Sequence, residues 1–369
     1  MMKTTKTLLM VYAAFACLLQ TSCSSTKTVK KPERPWQKVT QSVYAEGAGY
    51  AFGIRFVIRI WGVEKSTPLT LQILNRAKAE IQRVAKMADA TYARSEVSRI
   101  NQVAFKESVT VSPELYAILN TCEQMYQFSD HKFDVTYVPY GVDGKNQLNT
   151  VTEWDKIPNS TAKSMRLFGS KNMLLDQNPM RVRLYNRRLK VNLKGMIRGY
   201  AIESALKVLA NEKGLTGYAV IAEGLVGAAG TALQEPALLC IEHSSALGSC
   251  AERVVPNSTV GPFLLGASAS LERRGDLFNP KDSWTYRSGG VVIAGKRGEW
   301  VQFAMTITSV MDDGQLKTFF TRAMNPLLTG IYFNSITGQE ILGTLEPLAK
   351  VATDDVVVPS NASALPSPH

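Results

Sequence analysis

Two short stretches constrain the fold most, because each combines a helix start signal with apolar residues at helical spacing. Thr67-Pro68 and Ser112-Pro113 are typical of a helix N-cap followed by its first turn. The residues expected to face the core from the first helix are Leu74, Ala77, Ile81, Val84 and Ala88. Those expected from the second are Leu115, Leu119, Cys122 and Tyr126. The chain is therefore predicted to contain two long amphipathic helices.

A third helix and several strands are predicted further along the chain. The helix runs from about 196 to 213 and ends at Gly214, with Ile197, Ala201, Ala205 and Val208 buried. Short runs rich in β-branched residues predict strands. These are Arg55–Trp61, Arg181–Tyr185, Leu189–Leu193, Tyr218–Ala222, Leu238–Glu242, Val291–Ala294 and Phe303–Ser309. The mixture predicts an α/β class, in its mixed α+β form, with helices flanking the sheets.

The first residues have the features of an export signal. Lys3 and Lys6 precede an apolar run, Leu8–Leu19, about as long as a signal-peptide core and too short to span a bilayer. Cys23 then follows a small residue, as at bacterial lipid-modification sites, although Gln20 stands where such sites usually carry Leu. Two readings stay open, a lipid anchor on Cys23 or a simple secretory cut nearby. Both predict a mature protein outside the cytoplasm, and the first predicts a membrane-anchored lipoprotein of the bacterial cell envelope, facing the periplasm or the exterior.

Composition divides the chain into four parts and limits its partners. We predict a lipoprotein-type signal peptide at 1–23, a polar linker at 24–40, one folded domain at 41–348 and a flexible tail at 349–369, rich in Pro, Ser and Ala. The formal net charge of +11 is spread along the chain, and basic and aromatic residues do not interleave, so no nucleic-acid partner is expected.

Few side chains are available for metal or disulfide chemistry. The chain has 3 histidines, which argues against a histidine-rich metal site. Cys240 and Cys250 are close enough in sequence to form a disulfide across a hairpin in an oxidising compartment, or they remain free thiols. Cys122 lies on the apolar side of a predicted helix and is expected in the core.

One turn has a clear physical meaning. The predicted strand Leu189–Leu193 is followed by Lys194-Gly195, and a helix starts at once with Arg198 in its first turn. Free N–H groups at a helix N-terminus attract anions, and an arginine there can contact a phosphate. Strand–glycine–helix turns are also common as purely structural features, so both readings stay open.

Three segments carry a family resemblance. They are DATYARSEVSRIN at 89–101, FDVTYVP at 133–139 and VNLKGMIRGYA at 191–201. In order and spacing they resemble the motifs of the ApbE family of flavin transferases, which carry S-T-Y…S-E-(I/L)-S-R-(I/F)-N, F-D-(P/I)-T-V-G-P and D-L-G-G-I-A-K-G-Y-A. The segment from Ala222 to Gly230 resembles that family's G-G-D/E segment. The resemblance covers most of the chain from Tyr44 to about Leu342.

This resemblance implies a fold, a reaction and a set of site residues. It implies an ApbE-like domain with mixed or antiparallel sheets. Its members transfer FMN from FAD to a Thr or Ser hydroxyl of an envelope redox protein and release AMP, normally with Mg²⁺. The flavin contacts implied by the motifs are Phe52, Tyr92, Lys132, Phe133 and Asp134, with Asn192 and Arg198 beside the flavin. Gly195 would lie at the metal position together with Thr318.

Several motif positions depart from the family pattern. An acid or the histidine of the family is replaced at Asn192, Leu225, Ser288, Val291 and Gly314. Since Mg²⁺ prefers carboxylate oxygens, the sequence argues against a retained magnesium site. Asp312 and Asp313 lie near but out of register. Lys317 and Arg198 could neutralise the diphosphate instead, or Lys317 simply faces solvent.

Three functions stay open from the sequence. The first is a working FAD:protein FMN transferase. The second is a catalytically silent relative that binds flavin or a partner protein. The third is an envelope lipoprotein with a structural role. The sequence does not identify a catalytic residue or the acceptor protein.

Overall fold

The computed structural model describes most of the region from Tyr44 onward. The described residues are 44–136, 170–187, 189–222, 224–234, 240–242, 250–256, 262–268, 289–308, 311, 313–322, 328–334, 338–342 and 348–352. The predicted signal, the linker, Cys23, Ser288 and Asp312 lie outside them. The chain divides into two units, 1–42 and 43–369, and only the second contains described residues.

The described residues form helices and strands with the following bounds. The α-helices are α1 (Pro68–Ala88), α2 (Glu96–Val103), α3 (Pro113–Phe128), α4 (Ile197–Ala210), α5 (Gly298–Thr308) and α6 (Asp313–Arg322). The first seven strands are β1 (Tyr44–Ala51), β2 (Ile54–Trp61), β3 (Val109–Thr110), β4 (Met173–Gln177), β5 (Met180–Leu184), β6 (Gly217–Ala222) and β7 (Leu225–Gly230). The remaining strands are β8 (Cys240–Glu242), β9 (Cys250–Pro256), β10 (Phe263–Ser268), β11 (Gly289–Gly295), β12 (Leu328–Asn334), β13 (Gly338–Leu342) and β14 (Leu348–Ala352).

The strands form one large sheet and two small ones. The large sheet has the order β1-β2-β6-β7-β10-β11-β12-β13, and every neighbouring pair is antiparallel. The small sheets have the orders β14-β9-β8 and β3-β5-β4. Together with the flanking helices, this arrangement confirms the predicted mixed α/β class with antiparallel sheets.

Helices α1, α4 and α5 cover one face of the large sheet. α1 packs on β1 and β2, α4 on β6 and β7, and α5 on β10 and β11. Glycines in the strands make room for the helices: a Cβ at Gly227 would lie 2.5 Å from Leu206, and the backbone of Gly266 lies against Met305 and Val301. Close packing of this kind makes the helix positions depend on the strands beneath them.

The two Pro-initiated helices form as predicted. Thr67 Oγ1 accepts a hydrogen bond from Thr70 N at 3.2 Å, and Ser112 Oγ accepts one from Leu115 N at 3.2 Å. Each side chain satisfies a backbone donor that the helix leaves unpaired. In α3 the buried residue of the last turn is Met125, while Tyr126 is half-buried. The third helix ends at Ala210, three residues earlier than predicted, and buries Leu209 in place of Val208.

Two of the predicted strands are not strands. Leu189, Val191 and Leu193 are buried in the predicted alternation, but their segment pairs with no strand. Its backbone N–H groups do not bond to a neighbouring strand. Val191 N donates to the side-chain Oδ1 of Asn101, and Asn192 N donates to Val135 O. Every second residue is therefore buried here, as in a strand, although the segment pairs with no other strand.

In the predicted strand Phe303–Ser309, residues 303–308 belong instead to helix α5, and Ser309 lies outside the described residues. This helix is buried nearly all round, between α4 and the large sheet, so its sequence lacks the polar face that marks an amphipathic helix. A continuous apolar run does not distinguish a buried strand from a buried helix.

Three further features bear on the sequence predictions. β14, from Leu348 to Ala352, pairs with β9, while the predicted domain bounds stay a prediction. In the β8–β9 ladder, Cys240 pairs with Arg253 and Cys250 pairs with Glu242, so the two cysteines are not direct cross-strand partners. Among the described residues, no helix combines the length and the apolar character needed to cross a membrane.

Candidate functional site

The turn that precedes α4 is the centre of the candidate site. Asn192 Oδ1 accepts a hydrogen bond from Lys194 N at 3.0 Å, and Leu193 O accepts one from Ile197 N at 3.0 Å. α4 then begins at Ile197 without a side-chain cap. Gly199 N is also occupied, since it donates to Gln302 Oε1 at 2.8 Å. The first turn therefore offers an anion fewer free N–H groups than the sequence suggests.

The Phe133-Asp134 segment lies directly against this turn. A Cβ on Gly195 would lie 2.7 Å from the Phe133 ring, and Asn192 N donates to Val135 O at 2.8 Å. Phe133 is buried and packs edge-on against Phe303, with ring centroids 5.0 Å apart. The fold thus brings together two motifs that are about sixty residues apart in sequence.

Asp134 is held in a local turn next to Phe133. Its Oδ1 accepts hydrogen bonds from Thr136 N at 2.8 Å and from Thr136 Oγ1 at 2.7 Å. Burial raises the pKa of this carboxyl above its ordinary value, although the two Thr136 bonds oppose the shift.

Asn101, the last residue of the first motif, ties that motif to the turn. It is buried, and its Nδ2 donates to Val191 O at 2.9 Å while its Oδ1 accepts from Val191 N at 2.6 Å. Lys190 Nζ also donates to Asn101 O. The side chain of one asparagine therefore satisfies both backbone groups of Val191 and fixes the approach to the turn.

Tyr92 lies on the surface before α2. It is 44% exposed, between Asp89, which accepts from Thr91 N at 2.8 Å, and Ser95, whose Oγ caps α2 by accepting from Ser98 N at 2.8 Å. Its accessible ring agrees with a ligand contact, and that role stays a prediction.

Phe52 and Arg198 line one small cleft. Phe52 has a φ of 56° in the tight turn between β1 and β2, next to Gly53 with a φ of 78°. The cleft also includes Ile54, Ile81 and Ile202, and its cavity of about 10 Å³ is large enough for roughly one water molecule. Two predicted flavin contacts therefore meet at the end of the β1–β2 hairpin.

A larger cavity lies between the end of α3 and α6. Its volume is about 450 Å³, within the range of small-molecule sites. Lys132 and Thr318, two residues predicted for the site, both line it, together with Ser129, Asp130 and Gln315. The fold thus places a cation and several polar groups around a space of ligand size.

The family model described as the ApbE family matches residues 52–261, more than half of the chain. The chain belongs to the ApbE family. No curated protein matches it.

Solved structures of ApbE proteins share the fold at low sequence identity. The ApbE protein of Thermotoga maritima is 19% identical with a TM-score of 0.61, and the match covers 81% of this chain and 97% of that one. The apo flavinyl transferase ApbE of Pseudomonas stutzeri is 12% identical with a TM-score of 0.57, covering 84% and 94%. The flavin transferase ApbE of Vibrio cholerae is 13% identical with a TM-score of 0.54, covering 84% and 97%.

The ApbE resemblance implies Mg²⁺ at Gly195, and the groups around this glycine do not fit it. Gln302 Nε2 donates to Lys194 O at 2.8 Å, and Thr306 Oγ1 donates to Gly195 O at 2.9 Å. Mg²⁺ requires oxygen ligands in octahedral geometry, whereas both turn carbonyls here already accept hydrogen bonds. The described residues contain no group of three or more His, Cys, Asp or Glu that could hold a metal.

Thr318, the other predicted metal residue, lines the larger cavity. It is exposed on α6, and its Oγ1 donates to Gly314 O at 2.9 Å within its own helix. The threonine that contacts Gly195 is Thr306 of α5. The sequence predictions include neither Thr306 nor Gln302 as a site residue, because Thr306 lies within the predicted strand Phe303–Ser309 and Gln302 directly before it. The spacing of four residues between them was the available signal, since it places both on one face of a helix.

A buried acid pair lies where α4 meets the start of α5. Glu299 is 2% exposed and forms an ion pair with Arg297. Glu203 Oε2 accepts from Gly298 N at 2.7 Å, and Lys207 Nζ lies 2.6 Å from Glu203 Oε1. Burial, and to a lesser extent the adjacent Glu203, raise the pKa of Glu299 to about 7. Burial acts to raise the pKa of Glu203, but the adjacent Glu299 carboxyl and the hydrogen bonds from Lys207 and Gly298 hold that pKa below its ordinary value.

Proposed function

We propose that this chain is an envelope flavin transferase that moves FMN from FAD to a Ser or Thr hydroxyl of an exported redox protein. Membership of the ApbE family supports a flavin transferase. The observation that carries the proposal is the meeting of Phe133 with Gly195, because it joins two of the family's motifs in one place.

The reaction is a displacement at phosphorus. The acceptor oxygen forms a bond to the phosphorus of the FMN half, the anhydride bond to AMP breaks, AMP leaves with the electron pair, and the hydroxyl proton passes to a base. Such a step needs cations that spread the developing charge and groups that orient the diphosphate. Arg198 in the first turn of α4 and Lys132 on the wall of the larger cavity are the cations we assign to this task.

A second candidate is a relative that binds FAD without transferring FMN. The hydrogen bonds from Gln302 and Thr306 to the turn carbonyls favour it, because they occupy groups that a magnesium-dependent transferase would present to its metal. In that case the surface around the exposed Tyr92 would serve flavin or partner binding alone.

Transfer is tested with the purified chain, FAD, MgCl₂ and a Ser/Thr acceptor domain of an envelope redox protein. A gain in acceptor mass of one FMN group supports the transferase. The acceptor variant in which Ala replaces the hydroxyl residue should gain nothing. Arg198→Ala should slow the transfer, while the exposed residue Lys171 supplies a matched control as Lys171→Ala. FAD that co-elutes with the chain while the acceptor mass stays unchanged would instead favour the silent relative.

We also propose that the mature chain is anchored by a lipid on Cys23. The apolar run Leu8–Leu19 and the small residues that flank Cys23 support this. Radiolabelled palmitate should enter the wild-type protein and not a Cys23→Ala variant. Incorporation that is equal in the two proteins, or absent from both, would contradict the anchor.

A further inference from the structure

The Lys194–Gly195 turn is held by side chains of α5 that act as hydrogen-bond donors. Gln302 Nε2 lies 2.8 Å from Lys194 O, and Thr306 Oγ1 lies 2.9 Å from Gly195 O. The two side chains are four residues apart, so they project from one face of α5 toward two consecutive carbonyl groups. Both carbonyls therefore point at the same helix.

The orientation of the Gln302 amide is fixed by its partners. Gly199 N is only a donor and lies 2.8 Å from Oε1, and Lys194 O is only an acceptor and lies 2.8 Å from Nε2. A flipped amide would place two donors face to face and two acceptors face to face. Since Gln302 is only 2% exposed, either mismatch would be costly.

Apolar groups of Phe133 and Thr306 lie against the position that a Cβ of Gly195 would take. A Cβ at Gly195 would lie 2.7 Å from the Phe133 ring and 3.5 Å from Thr306 Cγ2. A side chain at position 195 is therefore excluded, and the N–H of Gln302 and the O–H of Thr306 carry the positive partial charge that faces the two carbonyls. An amide nitrogen cannot serve as a ligand for Mg²⁺.

We propose that the amide of Gln302 and the hydroxyl of Thr306 take the place of a divalent cation at the Lys194–Gly195 turn. Hydrogen bonds from α5 hold this turn, and the turn takes up no Mg²⁺. The proposal concerns the site of the proposed flavin transferase, but it is tested without FAD or acceptor, so the two can fail separately.

The test compares melting temperatures of the full chain with and without millimolar MgCl₂, at ionic strength matched with NaCl. For the wild type we expect no gain from Mg²⁺. Gln302→Glu keeps the shape of the side chain but sets a carboxylate oxygen against Lys194 O, so it should lower the melting temperature by roughly 5 °C. Mg²⁺ should restore most of that loss, because the variant offers it carboxylate, carbonyl and hydroxyl oxygens together.

Gln302→Leu is the matched control, since it removes the amide and offers no metal ligand. Its melting temperature should fall by a similar amount, with no recovery in Mg²⁺. A wild-type gain of several degrees in Mg²⁺ that disappears in Gln302→Leu or Thr306→Val would overturn the proposal. A gain of equal size in the wild type and both variants agrees with it, because the metal then binds elsewhere.

Calorimetric titration of the wild type with MgCl₂ supplies a second measurement that needs no folded variant. Absence of a saturable heat agrees with the proposal. A single-site isotherm overturns it if binding protects the Gly195 and Lys194 amides from hydrogen exchange, and agrees with it if protection lies elsewhere.

Discussion

Gly199 and Gly298 lie with their backbones in direct contact, and helices α4 and α5 cross at this point. A Cβ at either position would overlap the carbonyl oxygen of the other residue. The two helices therefore approach more closely than any side chain at these two positions would allow. This approach brings Gln302 within hydrogen-bond distance of Gly199 N and Lys194 O. The geometry of the candidate site depends on this pair of glycines.

The first prediction concerns this crossing. Gly199→Ala should lower the free energy of unfolding by about 3 kcal/mol or more, because the helices must separate to admit the methyl group. Urea denaturation measures the change. Gly47→Ala is the control, since a Cβ there would meet Leu74 at 3.4 Å, an ordinary contact. Equal losses in the two variants would contradict the tight crossing.

The second prediction concerns the pH dependence of stability. The pKa of Glu299 is raised from 4.5 to about 7 in the folded protein, so the folded state keeps a proton in that window that the unfolded state releases. Stability should therefore fall as pH rises from about 4.5 to about 7, by on the order of 3 kcal/mol at about 1.4 kcal/mol per pKa unit.

Glu299→Gln tests this assignment, because the amide stays neutral at every pH. Urea midpoints at pH 5 and pH 7.5 should differ less for the variant than for the wild type. If the variant kept the full pH dependence of the wild type, the proton would have to be bound by another group.

The third prediction concerns Asn101. Asn101→Ala should cost about 2–4 kcal/mol, because it leaves the buried N–H and C=O of Val191 without partners. Thermal unfolding and hydrogen exchange of the Val191 amide both report the change. Gln102→Ala replaces the exposed neighbour and should stay within about 0.5 kcal/mol of the wild type. If the Val191 amide exchanged its hydrogen equally slowly in the Asn101 variant and in the wild type, the hydrogen bonds from Asn101 would not hold Val191.

The fourth prediction concerns FAD. Arg198→Ala should weaken FAD binding about tenfold, which corresponds to about 1.4 kcal/mol. Flavin fluorescence quenching measures the affinity, and the melting temperature of the variant checks its fold. Lys317→Ala, on the exposed face of α6, should change the affinity less than about twofold. If Lys317→Ala weakened FAD binding more than Arg198→Ala, the diphosphate would have to lie closer to α6 than we propose.

Local signals in the sequence determined part of this structure. Helices α1 and α3 formed where Thr67-Pro68 and Ser112-Pro113 predicted them, because capping and apolar spacing act within a few residues of the chain. The motifs also implied the ApbE family, which the family match shows. These features could be predicted without knowing how the rest of the chain folds.

The tertiary structure alone decided the states of Leu189–Leu193 and of residues 303–308. The first has the burial pattern of a strand, but Asn101 and Val135 take its backbone hydrogen bonds. The second is apolar enough for a strand, but its place between α4 and the sheet made it a helix. Gln302 reaches Lys194 across 108 positions of sequence, so the turn's partners follow from the crossing of Gly199 and Gly298 and not from any local pattern.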